Sequence, residues 1–339
     1  MSTHRLIGVV RPDQAEKLLA TNQKMIAANV ISVESLGLSA LLLPDRKPLA
    51  AWLQTRKSQM NALLTFEKLL EAISADCAVL PAACGSERIA PDQALALLTV
   101  HAAALTESLE TYGSLVQFQI QVRWDAAKAM GHLKQTGRLD SLDLGLATRD
   151  RKAFGLSLQA LMEAERKRIG EHLQDILKSA CRDYVRLPLD DETMVLNVAA
   201  LISREGEVEL DKAVEAIDAV MPDAFSVRYA GPLPAVSFAN ITITMPEVGS
   251  LAKAHVTLGV DQRASVDEIK AAYRNAIRQV HPDIGAVTAS VDATVALTNA
   301  SKLATRAASA PCNPVGVPLL LDIRREGEGS NTTQLSKAA

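Results

Sequence analysis

The chain has 339 residues, 48% of them hydrophobic and 3% aromatic, with 36 basic against 39 acidic side chains and a formal net charge of −3. That length holds two or three domains, whose cores must be built from Leu, Val, Ile and Ala because aromatic rings are so few. The near-neutral balance gives no global field for nucleic acid or an anionic membrane, so neither is expected as a partner, and no apolar run reaches the roughly 18–20 residues of a membrane span.

Residues 4–10, HRLIGVV, and 38–44, LSALLLP, read as short buried strands bounded by Pro, with helical spacing in DQAEKLLATNQKMIAAN between them. Residues 49–74 carry Trp52, Leu53, Met60, Leu63, Leu64, Leu69 and Leu70 at the spacing of an amphipathic helix. CAVLPAACG (77–85) reads as a strand ending at a Gly, and 91–113 as one helix with Pro at its start and Gly at its end. Residues 115–125 alternate, with Val116, Phe118, Ile120 and Val122 on one face and Gln117, Gln119, Gln121 and Arg123 on the other. That pattern predicts a half-solvated strand of an antiparallel sheet.

Residues 126–182 are helical apart from an interruption at GRLDSLDLG, and the charges in LMEAERKRIGEHLQDILKSA read as a solvated helix face. A strand (193–203), a helix (209–221) and a strand (225–231) follow. The expected fold class is α+β: two lobes of mostly antiparallel, ferredoxin-like sheet with packed helices, residues 1–111 and 112–245, the second including the long helices within 126–182.

A separate unit is expected at 250–309. In ASVDEIKAAYRNAIRQV, Ser265 and Glu268 have capping-box spacing at a helix start. Val266, Ile269, Tyr273, Ile277 and Val280 make its apolar stripe, while Lys270, Arg274 and Arg278 recur every four residues on another face. The helix ends at His281-Pro282-Asp283, since Pro282 restricts the residue before it, and a second helix lies within 291–309. Residues 310–339, rich in Pro and Gly and then polar, are expected to be largely disordered.

An enzyme is not expected. His101 lies alone within a helix, Asp190-Asp191-Glu192 reads as a loop after Pro188, and Trp124 and Arg123 end a strand, where packing is the simpler role. Neither phosphate-binding glycine motif occurs, and no nucleophile, base and oxyanion donor come together. Cys77, Cys84 and His101 lack a fourth ligand, so neither metal nor cofactor is expected. The four cysteines, Cys77, Cys84, Cys181 and Cys312, show no C-x-x-C spacing, and MSTHRLIGVVRPDQ has no apolar core of signal-peptide length; a reduced, cytoplasmic protein is the expectation.

Two stretches resemble known families. Residues 255–304, with Leu258-Gly259-Val260, Glu268-Ile269-Lys270, Ala272-Tyr273-Arg274, Arg278, His281-Pro282-Asp283, Leu297 and Ala300 in order, resemble the J domain of DnaJ co-chaperones. A chance His-Pro-Asp anywhere in a chain of this composition has a probability of about 0.015, before its context is counted. The resemblance implies a helical hairpin whose loop (His281, Pro282, Asp283) and basic helix (Lys270, Arg274, Arg278) contact a DnaK-type chaperone and stimulate its ATPase. The sequence departs from that pattern in a first helix reduced to SLAKAHVTLGV, and in Thr294 and Ser301 standing for an aromatic pair.

Residues 4–240 resemble the GvpF/GvpL gas vesicle proteins. The resemblance is carried by a V-L-P strand, a Gly turn, a helix with an internal His and a strand ending V-R-W within 77–125. Within 194–238 it is carried by a V-L-N-x-A strand, a helix and the terminal G-P-x-P-x-x-S-F. It implies a gas vesicle accessory or assembly protein that partners the small hydrophobic shell protein (GvpA) and other accessory proteins, limits shell-protein aggregation, and resides in the cytoplasm or the vesicle. Two other readings are a general J-domain co-chaperone with an unrelated client-binding region, and an enzyme on an α+β scaffold. Residues 1–245 are expected to fold and bind client without the C-terminal module.

Overall fold

The computed structural model describes residues 3–44, 56–140, 149–247, 249–280, 291–313 and 316–326. The described residues divide into two compact units, one within 1–109 and 240–323, the other within 110–239 and 324–326.

The first unit opens with β1 (His4–Val10), α1 (Pro12–Thr21), α2 (Gln23–Ala28), β2 (Ile31–Ser35), β3 (Leu38–Pro44), α3 (Arg56–Asp76) and β4 (Leu80–Pro81). Its strands lie in the order β2-β3-β1-β4, every pairing antiparallel. This is a β-α-β-β-α-β arrangement, the ferredoxin-like pattern. β2 was not legible in the sequence. It forms a hairpin with β3 through Leu36-Gly37, both at positive φ, as a two-residue primed turn requires. Gly8 sits where β1 and β4 approach most closely, and a Cβ there would lie 2.8 Å from the Leu80 carbonyl oxygen.

The single helix expected over 91–113 is two. α4 (Pro91–Val100) ends at His101, whose φ of −105° and ψ of 15° leave the helix, and α5 (Ala102–Tyr112) follows. Of the helix expected over 49–74, residues 45–55 lie outside the described residues.

The second unit repeats the arrangement. β5 (Val116–Trp124), α6 (Ala126–Gln135), α7 (Arg151–Lys178), β6 (Asp183–Arg186), β7 (Met194–Ile202), α8 (Glu207–Val220) and β8 (Phe225–Pro234) give the antiparallel order β6-β7-β5-β8. The helices bury Ile169, Leu173, Leu177, Leu210 and Ile217 against Phe118, Ile120, Val122 and Trp124. α7 reaches the sheet at Gly170, where a Cβ would lie 2.7 Å from the Val195 carbonyl oxygen. β5 is not half-solvated as its alternation suggests. It is a central strand, and the Gln face is partly covered too: Gln117 is buried, donating to Ser237 Oγ at 3.3 Å and accepting from the Ser237 amide at 2.9 Å.

After residue 239 the chain returns to the first unit. β9 (Asn240–Thr244) bridges β4 through Ile241 and Ala82, the helices α9 (Ser250–Leu258), α10 (Val266–Val280) and α11 (Val291–Ser309) follow, and β10 (Leu320–Arg324) then lies beside β9. The disordered tail expected from 310 is therefore corrected over 316–326. Leu319, Leu320 and Leu321 are buried, and a hydrophobic segment that finds a strand to pair with is ordered whatever the composition around it. Leu321 and Ile243 join Leu6, Ala40, Leu97 and Leu105 around an apolar void of about 10 Å³. Residues 327–339 lie outside the described residues.

Just past β10, Arg325 donates to both carboxylate oxygens of Asp183, one at 2.9 Å, and lies over the Phe238 ring at 5.4 Å. The Arg325 hydrogen bond holds the Asp183 carboxyl below the ordinary aspartate value of 3.8. A depressed folded value means that the pair stabilises above pH 3.8 and that this is lost as pH falls through the folded value. The pair is partly solvated, so Arg325→Ala is expected to cost no more than about 1 kcal/mol at pH 7. Urea denaturation should show the gap between wild type and Arg325→Ala closing as pH drops below the aspartate range; a gap that persists there would assign the effect to the Phe238 contact.

Candidate functional site

Three helices make a small module with its own core. Leu258, Ile269, Leu297, Ala300 and Ala304 are buried together, with Tyr273 and Ile277 packed against them. The first helix, expected to be vestigial, is nine residues long, begins after Gly249 and ends at Gly259, which takes the left-handed conformation of a C-cap. The module is thus three-helical rather than a hairpin alone. Where the sequence loses an aromatic pair, Tyr273 contacts the Thr298 hydroxyl at 3.3 Å.

The capping box forms as its spacing predicts: the Ser265 amide donates to Glu268 Oε2 at 2.8 Å, and the Glu268 amide donates to Ser265 Oγ at 3.3 Å. The backbone N–H of Ser265 holds the Glu268 carboxyl below its usual range, so it stays anionic at the positive end of α10. The opposite face of α10 presents Lys270, Arg274 and Arg278, all exposed and each four residues from the next. Among the described residues none of the three has an ion-pair partner, which leaves a row of free cations along one rigid edge. His281, Pro282 and Asp283 lie outside the described residues, so the tripeptide is placed only by following the last residue of α10.

Side chains join the module to the rest of its unit. Arg306 near the end of α11 pairs with Asp322 of β10 at 2.8 Å, and Gln93 of α4 donates to the Cys312 carbonyl at 3.1 Å. His101 lies in this cluster; burial, and then the Arg306 charge, lower its pKa from 6.5. It stands at the junction of α4 and α5. Among the described residues, no group of three or more His, Cys, Asp or Glu is placed to hold a metal ion.

A second surface lies in the other unit. Trp124 is buried in the core, and Arg123 bonds Asp191 at 2.6 Å and Thr193 at 2.8 Å, so the Asp190-Asp191-Glu192 loop is tied to the end of β5. The Thr193 hydroxyl and then Arg123 depress the Asp191 carboxyl to about 2. Arg166, part of a run that reads as solvated, instead donates to the carbonyls of Asp191 at 3.3 Å and Met194 at 3.0 Å and pairs with Glu163 at 2.6 Å. This network frames one end of an apolar groove of about 690 Å³, walled by Trp124 and Met130 on one side and Leu156, Leu158 and Met162 of α7 on the other.

Two antiparallel ferredoxin-like sheets with a three-helix module define an α+β class of protein. The comparisons then make it specific. Residues 6–240 match the gas vesicle synthesis protein GvpL/GvpF family, and the chain belongs to that family. Residues 253–302 match the DnaJ domain. The fold resembles the crystal structures of gas vesicle protein GvpF from Anabaena sp. PCC7120 (21% identity, TM-score 0.55) and from Microcystis aeruginosa (21% identity, TM-score 0.50). Each covers 69% of this chain and 97% of its own. No curated protein matches the chain. Both matched families are non-enzymatic. Among the described residues no helix is long and apolar enough to cross a membrane.

The capping box gives a direct check on the module. Ser265→Ala is expected to destabilise α10 by about 1 kcal/mol, seen as roughly fivefold faster amide exchange in its first turn. Unchanged exchange would mean that neighbouring contacts, and not the cap, hold the helix start.

Proposed function

We propose that this chain is a gas vesicle accessory protein that binds the small hydrophobic shell protein and limits its aggregation during vesicle nucleation, and that its J-like module brings a DnaK-type chaperone to the bound client. The observation that supports this reading is the union, in one chain, of a GvpL/GvpF body and a DnaJ-like module. A small apolar subunit that must assemble rather than precipitate needs its hydrophobic surface covered until it is used, which is work for a holdase coupled to an ATP-driven partner.

The basic row suits the second half of that task. Lys270, Arg274 and Arg278 offer an acidic chaperone surface three fixed charges, which speeds encounter and fixes register, and which salt screens. His281, Pro282 and Asp283 are proposed to supply the contact that stimulates ATP hydrolysis. Single-turnover ATP hydrolysis by the DnaK-type chaperone of the same cell tests this: the wild-type chain is expected to accelerate it, and His281→Gln to abolish the acceleration without altering the circular dichroism spectrum. Equal acceleration by both, or none by either, would remove the tripeptide from the mechanism. The general co-chaperone reading predicts equal suppression of aggregation for the shell protein and for an unrelated client such as denatured luciferase, followed by light scattering; the accessory-protein reading predicts a strong preference for the shell protein.

The expectation that residues 1–245 suffice needs a different test, because a cut at 245 also removes β10. Each of its buried leucines is worth about 2 kcal/mol. Replacing residues 250–310 with a Gly/Ser linker of about ten residues spans the short distance between paired strands. That variant is expected to melt near the wild-type temperature and to keep shell-protein binding while losing ATPase stimulation. A 1–245 chain is expected to melt several degrees lower. Loss of shell-protein binding in the linker variant would move client recognition into the module.

A further inference from the structure

We propose that the groove between α6 and the first half of α7 is the client-docking site, and that its occupant is an amphipathic helix whose apolar stripe is bordered by lysine or arginine. The proposal rests on the reading of the chain as a client-binding accessory protein.

The asymmetry of α7 points there. From Glu165 onward the helix is anchored, with Glu165, Ile169, Gly170, Leu173, Gln174 and Leu177 buried; none of residues 151–164 is buried. In that free half Leu158 and Met162, four residues apart, share one side, and Leu156 lines the same groove from a neighbouring part of the helix. Leu156 is 59% exposed and Met130, across the groove on α6, is 37% exposed. Single exposed apolar residues are ordinary, but these share one concave surface with Leu158, Met162 and the edge of Trp124.

The walls select the kind of ligand. They are built from helices, whose backbone groups bond internally, so an incoming strand finds no free ladder to join. Two of the polar groups at the groove are already engaged, Arg166 with Glu163 and two carbonyls, and Thr193 with Asp191. A small polar ligand would have to break those bonds. What remains is an apolar trough with two methionines, flexible enough to fit side chains spaced along a helix at i, i+3, i+4 and i+7.

The rim selects the charge. The charged residues lining the groove are Glu163, Glu192 and Arg166, two carboxylates to one guanidinium; Glu163 is paired with Arg166, and Glu192 has no partner among the described residues. The Thr193 hydroxyl and then Arg123 lower the Asp191 carboxyl, and the Arg166 hydrogen bond lowers that of Glu163. A helix flanked by cations gains from that rim; an acidic segment is repelled.

The test places a benzophenone side chain at Leu156 of the full chain, and as control at Val208, which is 62% exposed elsewhere in the same unit. The probes are purified shell protein, a synthetic Leu/Lys amphipathic helix and its Leu/Glu counterpart. Crosslinks to shell protein and to the Leu/Lys peptide are expected from position 156 and not from 208, with the Leu/Glu peptide captured at neither. The Met130→Asp/Leu156→Asp variant, with an unchanged melting curve, is expected to bind the Leu/Lys peptide at least tenfold more weakly. Shell protein captured from 208 but not 156 would overturn the groove while leaving the client reading intact. Capture of the Leu/Lys peptide with no shell-protein binding anywhere would do the reverse. No preference for the basic peptide, or binding unaffected by the double substitution, would overturn the proposal.

Discussion

β10 lies beside β9, and the placement of everything between them follows from that pairing. A chain segment that leaves one strand and returns to its neighbour must begin and end at the same place. The three-helix module is therefore not a bead on a flexible tether but an excursion from a sheet that also touches β4. Arg306 reinforces this by pairing with Asp322, so the last helix of the module and the returning strand hold each other. For a partner chaperone the consequence is geometric. The exposed cations of α10 belong to the same compact unit as the first sheet, and a chaperone docked on them would be held against that unit rather than roam at the end of a linker.

The two units solve one problem twice. Each threads four strands in the same antiparallel order with its middle strand first in sequence, β1 in one and β5 in the other. With so few aromatic rings, close packing carries the burden that large side chains would otherwise share. That is why glycine appears where elements meet: at Gly8 the neighbouring strand, and at Gly170 the sheet, approaches too closely for any side chain. The units differ in what they do with the surplus. The first covers its sheet with α4, α5 and the returning β10, whereas the second lets half of a 28-residue helix run on with its apolar side open.

What the sequence made legible was local. The strand at β5, the capping box at Ser265 and Glu268, and the four-residue recurrence of Lys270, Arg274 and Arg278 are all signals within one element; the strand and the cap form, and the three cations are exposed on α10. What it hid depends on partners distant in the chain. β2 and β6 are four or five residues long, too short for a periodic signal, and β2 turns through a leucine at positive φ where a glycine or asparagine would have advertised the hairpin. β10 sits among Pro and Gly and becomes a strand only because β9 is there. Gln117 looked solvent-facing, yet a loop 120 residues later supplies its hydrogen bonds. The groove was invisible for the same reason: Arg166 sits in a run of charges that reads as surface, and nothing local reveals that it caps carbonyls across the sheet.

The claim on which the rest turns is that the module is built into the first unit through the β9–β10 pairing, and amide hydrogen exchange on the full chain measures it directly. If the pairing holds, the amides of Leu320 to Asp322 exchange in the same slow class as those of Ile241 to Ile243, with opening free energies of several kcal/mol. Exchange of residues 320–322 at the rate of solvated chain, with β9 still protected, would contradict the account and return the module to the end of a loose tail.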